Sequence, residues 1–126
     1  MDSKIPMGLK GEQHLCVAEE NTAINFGSGL VDVFATPAMV ALMEMTALKS
    51  IHEYLPEQMT SVGTEVNIKH LKASPIGRQL RCESKVQEIS GRKITFEVSV
   101  WDEELLVGHG THTRYIVDKE KFLSKP

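Results

Sequence analysis

The chain has 126 residues, of which 41% are hydrophobic and 25% charged, with a formal net charge of −3. That length is one domain's worth of polypeptide, so residues 1–126 are expected to fold as a single unit with a core of its own. The proportions exclude a disordered or collagen-like chain, and the acidic balance argues against nucleic acid or an anionic membrane as a partner.

The chain opens MDSKIPMGLK, with no apolar stretch of the kind a secretory leader carries. Residues 1–11 hold Pro6, Gly8 and Gly11 and read as a lead-in segment. Residues 12–19, EQHLCVAE, read as a first strand, and residues 20–33, with Asn21, Asn25, Gly27, Ser28 and Gly29, as a loop. The run from Ala35 to Ala47 is interrupted by Thr36 and Glu44 and is too short to span a bilayer. A soluble, cytoplasmic protein is expected.

Thr36-Pro37 reads as a helix start, with a hydroxyl at the N-cap and Pro at the first helical position. The helix is expected to continue through Leu55 and stop at Pro56. Its first half, AMVALMEMTAL, is apolar on nearly every face, and its second half carries a polar stripe at Thr46, Lys49, Ser50 and Glu53. A helix of that kind is enclosed, by a strongly curved sheet, a partner subunit, or both.

After Pro56 the period becomes two. In Ser61–Leu71, Val62, Thr64, Val66, Ile68 and His70 share one face, and Gly63, Glu65, Asn67 and Lys69 the other. Ser74-Pro75-Ile76-Gly77 reads as a turn. Arg78–Ile89 places Leu80, Cys82, Ser84 and Val86 together. Ser90-Gly91-Arg92 is a hairpin connection. Lys93–Trp101 alternates around Ile94, Phe96, Val98 and Val100; Leu105–Val117 is a last strand, with a short helix over 118–123. The expected class is α+β: one long central helix, with four of the five strands in a meander.

Cys16 and Cys82 lie in strand-like runs without CxxC spacing and read as reduced, half-buried thiols. His109 and His112 in GHGTH suggest metal ligands, but a spacing of three on a strand puts them on opposite faces and no third ligand is evident, so no metal is expected. Lys69, Lys72, Arg78, Arg81, Lys85 and Arg92 make a mildly basic stretch, either a solvated face or a dock for an anionic carrier such as the phosphates of coenzyme A.

Three residues carry the chemical interest. Glu44 is the only ionisable group between Asp32 and Lys49, on a helix face with Val40, Ala41, Leu48 and Ile51. A carboxylate there is either half of a buried ion pair or a general base or nucleophile. His70, in phase with inward apolar residues, is either a hydrogen-bonded core histidine or an acid–base group. Thr36 lies at a helix start, where free N–H groups can hold an oxyanion. A hydroxyl, a carboxylate and an imidazole suffice for acyl transfer.

The segments VFATPAMVALMEMTA, SVGTEVNIKHLKASPIG and GHGTHTRYIVDKEKF resemble the hotdog-fold thioesterases of the fluoroacetyl-CoA thioesterase-like family, over roughly residues 33–122 in one register. The resemblance implies a helix wrapped by a curved, mostly antiparallel five-stranded sheet, and subunits paired edge to edge as a homodimer or dimer of dimers. It implies hydrolysis of a short acyl-CoA to free acid and CoA, with no cofactor beyond the coenzyme A of the substrate. It places Thr36, Glu44 and His70 on the family's catalytic threonine, glutamate and histidine, Gly63 beside the acyl site and Arg114 on an arginine of the last strand. Glu20–Val33 departs from the specialised enzymes, whose lid is longer and aromatic; Phe26 is its only aromatic here, so an ordinary acyl-CoA is expected. A hydratase or dehydratase on acyl thioesters, or a non-catalytic acyl-CoA binding module, are the alternatives.

An unbroken helix separates the Thr36 and Glu44 Cα atoms by about 12 Å. Either the thioester lies between them or a second subunit completes the site.

Overall fold

The computed structural model describes residues 4–124, so the first three residues of the lead-in segment lie outside it. One helix, α2 (Thr36–His52), organises the rest. It is rich in Ala, Met and Leu, strong helix formers. Met39, Met43, Ala47 and Ile51 recur every fourth residue and are fully buried, so they form one continuous stripe against the sheet. Truncating Met43 to Ala would cost about 2–5 kcal/mol by cavity formation.

The helix differs from expectation at both ends. Ala35, not Thr36, is the N-cap, so Thr36 is already helical and its hydroxyl is free for another partner. At the far end, the Tyr54 N–H bonds Ile51 O and the Leu55 N–H bonds His52 O, tightening the chain into turns before Pro56.

Five strands wrap this helix: β1 (Lys10–Cys16), β2 (Met59–His70), β3 (Gln79–Ser90), β4 (Lys93–Asp102) and β5 (Leu105–Asp118). All neighbours are antiparallel, in the order β1-β3-β4-β5-β2. The inward faces of β3 and β4 are as expected: Leu80, Cys82 and Val86, then Ile94, Phe96, Val98 and Val100, are buried. The expected four-strand meander is corrected to three strands. β3, β4 and β5 are joined by two-residue turns, at Gly91-Arg92 and at Glu103-Glu104, where Gly91 (φ 63) and Glu103 (φ 56) take the left-handed conformation such turns demand. Eight residues separate β2 from β3, too many for a tight turn. Leu71 and Lys72 N–H stay on Val107 O of β5, and Phe34 N–H takes Ser74 O, so this link passes the start of α2 and crosses to the other side of the sheet.

β2 corrects the expected alternation. Its pairing with β5 slips between Gly63 and Glu65, so Thr64 is an extra residue and the strand's phase reverses there. Val66, Ile68 and His70 keep the inward face as expected. Before the bulge it is Met59 and Ser61 that are buried, not Val62 and Thr64.

The loop expected over 20–33 contains a 3-10 turn (Glu19–Asn21) and one turn of helix, α1 (Ala23–Phe26), closed by Gly27 at φ 72. The described residues end in α3 (Lys119–Ser124). One face of α2, carrying Ala41, Glu44, Met45 and Leu48, is left partly uncovered. It borders β2, whose outer edge pairs with no strand among the described residues.

Candidate active site

The first turn of α2 and the last residue of β2 meet. Thr36 Oγ1 lies 2.8 Å from His70 Nδ1. Phe34 packs edge-on against the imidazole, with ring centroids 6.0 Å apart. Burial pushes the His70 pKa below its ordinary value, opposed in part by a backbone hydrogen bond at Lys72, so the ring is neutral near pH 7. His70 Nε2 is buried and has no hydrogen-bond partner within 3.5 Å among the described residues. Thr36, Pro37, Val33, Phe34, His70 and Lys72 line a cavity of about 340 Å³. The straps 22–35 and 71–75 supply much of its wall; the Thr22–Phe34 bridge closes the first strap on itself and the Val33–Pro75 bridge joins it to the second.

A second cluster forms around Glu44. This carboxylate is not enclosed, as its apolar surroundings led one to expect: 41% of its side chain is exposed, on the uncovered face of α2. It forms a long ion pair with Arg114 of β5, half-exposed on the glutamate side rather than buried. Its Oε2 stands 3.9 Å from Arg114 Nη1, beyond hydrogen-bond range. The buried Arg114 places three of its donors on other groups: Nε on Ser61 Oγ (2.8 Å), Nη2 on Ser61 O (2.9 Å) and Nη1 on His112 Nε2 (3.1 Å).

Gly63 completes this cluster. A Cβ there would stand 2.6 Å from Glu44 Oε2, 3.1 Å from His112 Cε1 and 3.2 Å from Arg114 Nη1. Strict alternation from His70 puts Gly63 and Ser61 on the outer face; the Thr64 bulge turns both inward. The structure therefore brings Thr36 to His70, and Glu44 to Gly63 and Arg114. It does not bring these two groups together in one chain, and Glu44 does not line the Thr36–His70 cavity.

Ser61 and His112 escaped the sequence reading as site residues. The glycine inside a strand was the available signal for the bulge, and His112 shares a strand face with Arg114 two residues on. Of the GHGTH pair, His109 is exposed and His112 fully buried. No group of three or more His, Cys, Asp or Glu placed to hold a metal occurs among the described residues. The basic stretch is broken up: Arg78 makes two bonds to Asp102 (2.8 and 2.6 Å), and Arg81 bonds Glu83 (3.1 Å) and lies over Trp101. Lys72 alone of that stretch lines the cavity.

The family model described as fluoroacetyl-CoA-specific thioesterase matches residues 17–120. The chain is 34% identical over 94 residues to the fluoroacetyl-CoA thioesterase of Streptantibioticus cattleyicolor, covering 75% of this chain and 68% of that one. Among solved structures it is similar to the fluoroacetyl-CoA thioesterase FlK, with a TM-score of 0.90 and 27% identity over 95% of this chain and 93% of the other. A variant of FlK has been solved holding fluoroacetate and CoA. In fold alone it also matches a hot-dog-like protein from Thermanaerovibrio acidaminovorans, at a TM-score of 0.87 and 21% identity over 94% and 88% of the two chains.

Proposed function

The chain belongs to the fluoroacetyl-CoA-specific thioesterase family, and from that membership and the two separated clusters we propose that it hydrolyses a short acyl-CoA to the free acid and coenzyme A in a site shared by two subunits of a homodimer. The observation that carries the shared site is the split itself. Thr36 and His70 open on a cavity, while Glu44 waits about 12 Å along the helix on a face that the described residues leave partly uncovered. Pairing the free β2 edges about a twofold axis would cover Ala41, Met45 and Leu48 and carry one chain's Glu44 toward the other's Thr36 and His70. A dimer of dimers keeps the same shared site.

In this reading the Thr36 hydroxyl holds the thioester carbonyl and the neutral His70 helps move the proton lost by the attacking water to the CoA thiolate as the carbon–sulfur bond breaks. Glu44 supplies the charge that drives attack, by activating water or by attacking itself. Arg114 and Gly63 set the position of that carboxylate. Coenzyme A enters only as part of the substrate, and the residues named need no metal or cofactor. The cavity, about 340 Å³, is near the lower end for ligand sites and suits a short acyl group. The 22–35 strap carries two aromatics, Phe26, which is exposed, and Phe34, which lines the cavity against His70, and an ordinary acyl group is the substrate proposed here.

A cytoplasmic setting agrees with two free cysteines. No helix among the described residues is long and apolar enough to cross a membrane.

Release of free thiol from a panel of short acyl-CoAs, followed with a disulfide reagent, tests the activity. Hydrolysis yields one thiol for each thioester consumed. A hydratase would consume an enoyl thioester without releasing thiol, and a binding module would bind the panel without turnover.

A further inference from the structure

We propose that His112 is a positioning residue for this reaction, fixing the Arg114 guanidinium so that one Nη1 hydrogen is kept for the Glu44 side of the site. The proposal rests on the reading of Glu44 and Arg114 given above. His112 is fully buried. Its Nδ1 lies 2.8 Å from the Glu65 carbonyl, which can only accept, so Nδ1 carries the hydrogen. Arg114 Nη1, at 3.1 Å from Nε2, can only donate, so Nε2 presents its lone pair. The ring is therefore neutral and held at both nitrogens. Burial and the Arg114 charge both oppose its protonation. Phe96 stacks on it, with centroids 6.1 Å apart and planes at 24°, which fixes the ring plane as well.

The guanidinium is consequently held at three places: Nε and Nη2 by Ser61, and Nη1 by His112. Of its five hydrogens two remain, one on Nη2 and one on Nη1, and only the latter is on the nitrogen 3.9 Å from Glu44 Oε2. Ser61 alone would fix the Nε–Nη2 edge and leave the opposite corner without a support. The Thr64 bulge serves this arrangement too, because Glu65 follows directly and supplies the carbonyl that sets the His112 tautomer. A phenylalanine would fill the same space and stack on Phe96, so what histidine adds is the acceptor for Nη1.

The test uses His112→Phe, His112→Gln, Arg114→Met and the Phe–Met double variant, with kcat and KM for CoA release and a thermal melt for each. We expect His112→Phe to lower kcat about tenfold or more while KM moves less than about threefold, as loss of a support behind a reacting group does. His112→Gln, whose carbonyl oxygen can take the place of Nε2, should recover most of that loss. In the Arg114→Met background, His112→Phe should cost no more than about twofold further, because the residue it acts through is gone.

Wild-type turnover in Arg114→Met would overturn the reading of Arg114 itself. A large loss in Arg114→Met with wild-type turnover in His112→Phe, or an undiminished His112→Phe effect in the double variant, would overturn the positioning role alone. Should His112→Phe fail to fold, the imidazole 15N shifts of the native protein decide: hydrogen on Nδ1 and a bare Nε2 are required, and the reverse tautomer would sink the proposal.

Discussion

Thr36 Oγ1 and His70 Nδ1 sit 2.8 Å apart, so the first turn of α2 and the end of β2 present a joined hydroxyl and imidazole. Because Thr36 is helical rather than capping, its hydroxyl has no structural duty at the helix start. Thr36→Ala should therefore lower CoA release by about a hundredfold or more while changing stability by less than about 0.5 kcal/mol. Thr36→Ser keeps the oxygen and should retain activity within about tenfold. Steady-state kinetics beside thermal melts of both variants check this; equal activity in the Ala and Ser variants would remove the hydroxyl from the mechanism.

Acid should weaken both the fold and the catalyst. Burial holds the His70 and His112 pKa values below the ordinary 6.5. Between each lowered folded value and 6.5, the unfolded chain binds a proton that the native chain refuses, so stability falls as pH drops below about 6.5. The thermal midpoint should be lower at pH 5 than at pH 7. The acid limb of kcat/KM should have its midpoint below 6.5, since the free enzyme needs neutral His70. A limb centred above 6.5 would contradict the burial argument.

How legible all this was in the sequence depends on whether a signal was local. The α2 core and the inward faces of β3 and β4 follow from periodicity, whereas Thr36, Glu44 and His70 stand out as a set only through the family resemblance, and the structure joins two of them, Thr36 and His70. The place of β2 beside β5 does not, because strand order is settled by long-range pairing around the helix. The bulge at Thr64 defeated strict alternation, and with it went the inward placement of Ser61 and Gly63. Glu44 looked enclosed because helix composition shows apolarity but not what covers it. In sequence His112 suggests only a metal ligand, since its partner Glu65 O is a backbone atom 47 residues away that no side-chain pattern reveals.

Gly63→Ala should separate activity from stability. The added Cβ would meet Glu44 Oε2 at 2.6 Å, the far end of a flexible, half-exposed side chain that can swing aside. The next contacts, His112 and Arg114 at 3.1 and 3.2 Å, need only small shifts. The fold should therefore lose no more than about 1–2 kcal/mol. The carboxylate is displaced from its working position, so CoA release should fall about tenfold or more. A melt and a rate measured on the same sample check it; unchanged turnover would mean that the carboxylate works from elsewhere.

The two thiols should react very differently. Cys16 is exposed, whereas Cys82 is buried and its pKa is pushed up to about 11, chiefly by burial. Both were expected to be half-buried, and neither is. An alkylating reagent at pH 8 should label Cys16 alone in the native protein and both thiols after denaturation, as read by intact mass. Native double labelling would show that the core around Cys82 opens readily.

Mixed subunits test the shared site directly. Thr36→Ala spoils the cavity-side half and Glu44→Gln the carboxylate half, so each variant alone should be inactive. A dimer of one Thr36→Ala chain and one Glu44→Gln chain holds two unequal sites. One lacks both groups; the other joins the intact Thr36 and His70 of one chain to the intact Glu44 of its partner. Statistical exchange makes half the dimers mixed, each with one working site, so co-refolded chains should regain about a quarter of wild-type activity. The double variant carrying both changes in one chain, co-refolded with wild type, should give mixed dimers with no complete site, because each site then lacks one group. If instead the co-refolded single variants stay inactive while mass spectrometry confirms mixed dimers, all three groups must act within one chain, and α2 would have to bend or open to bring Glu44 across the span that now separates it from Thr36.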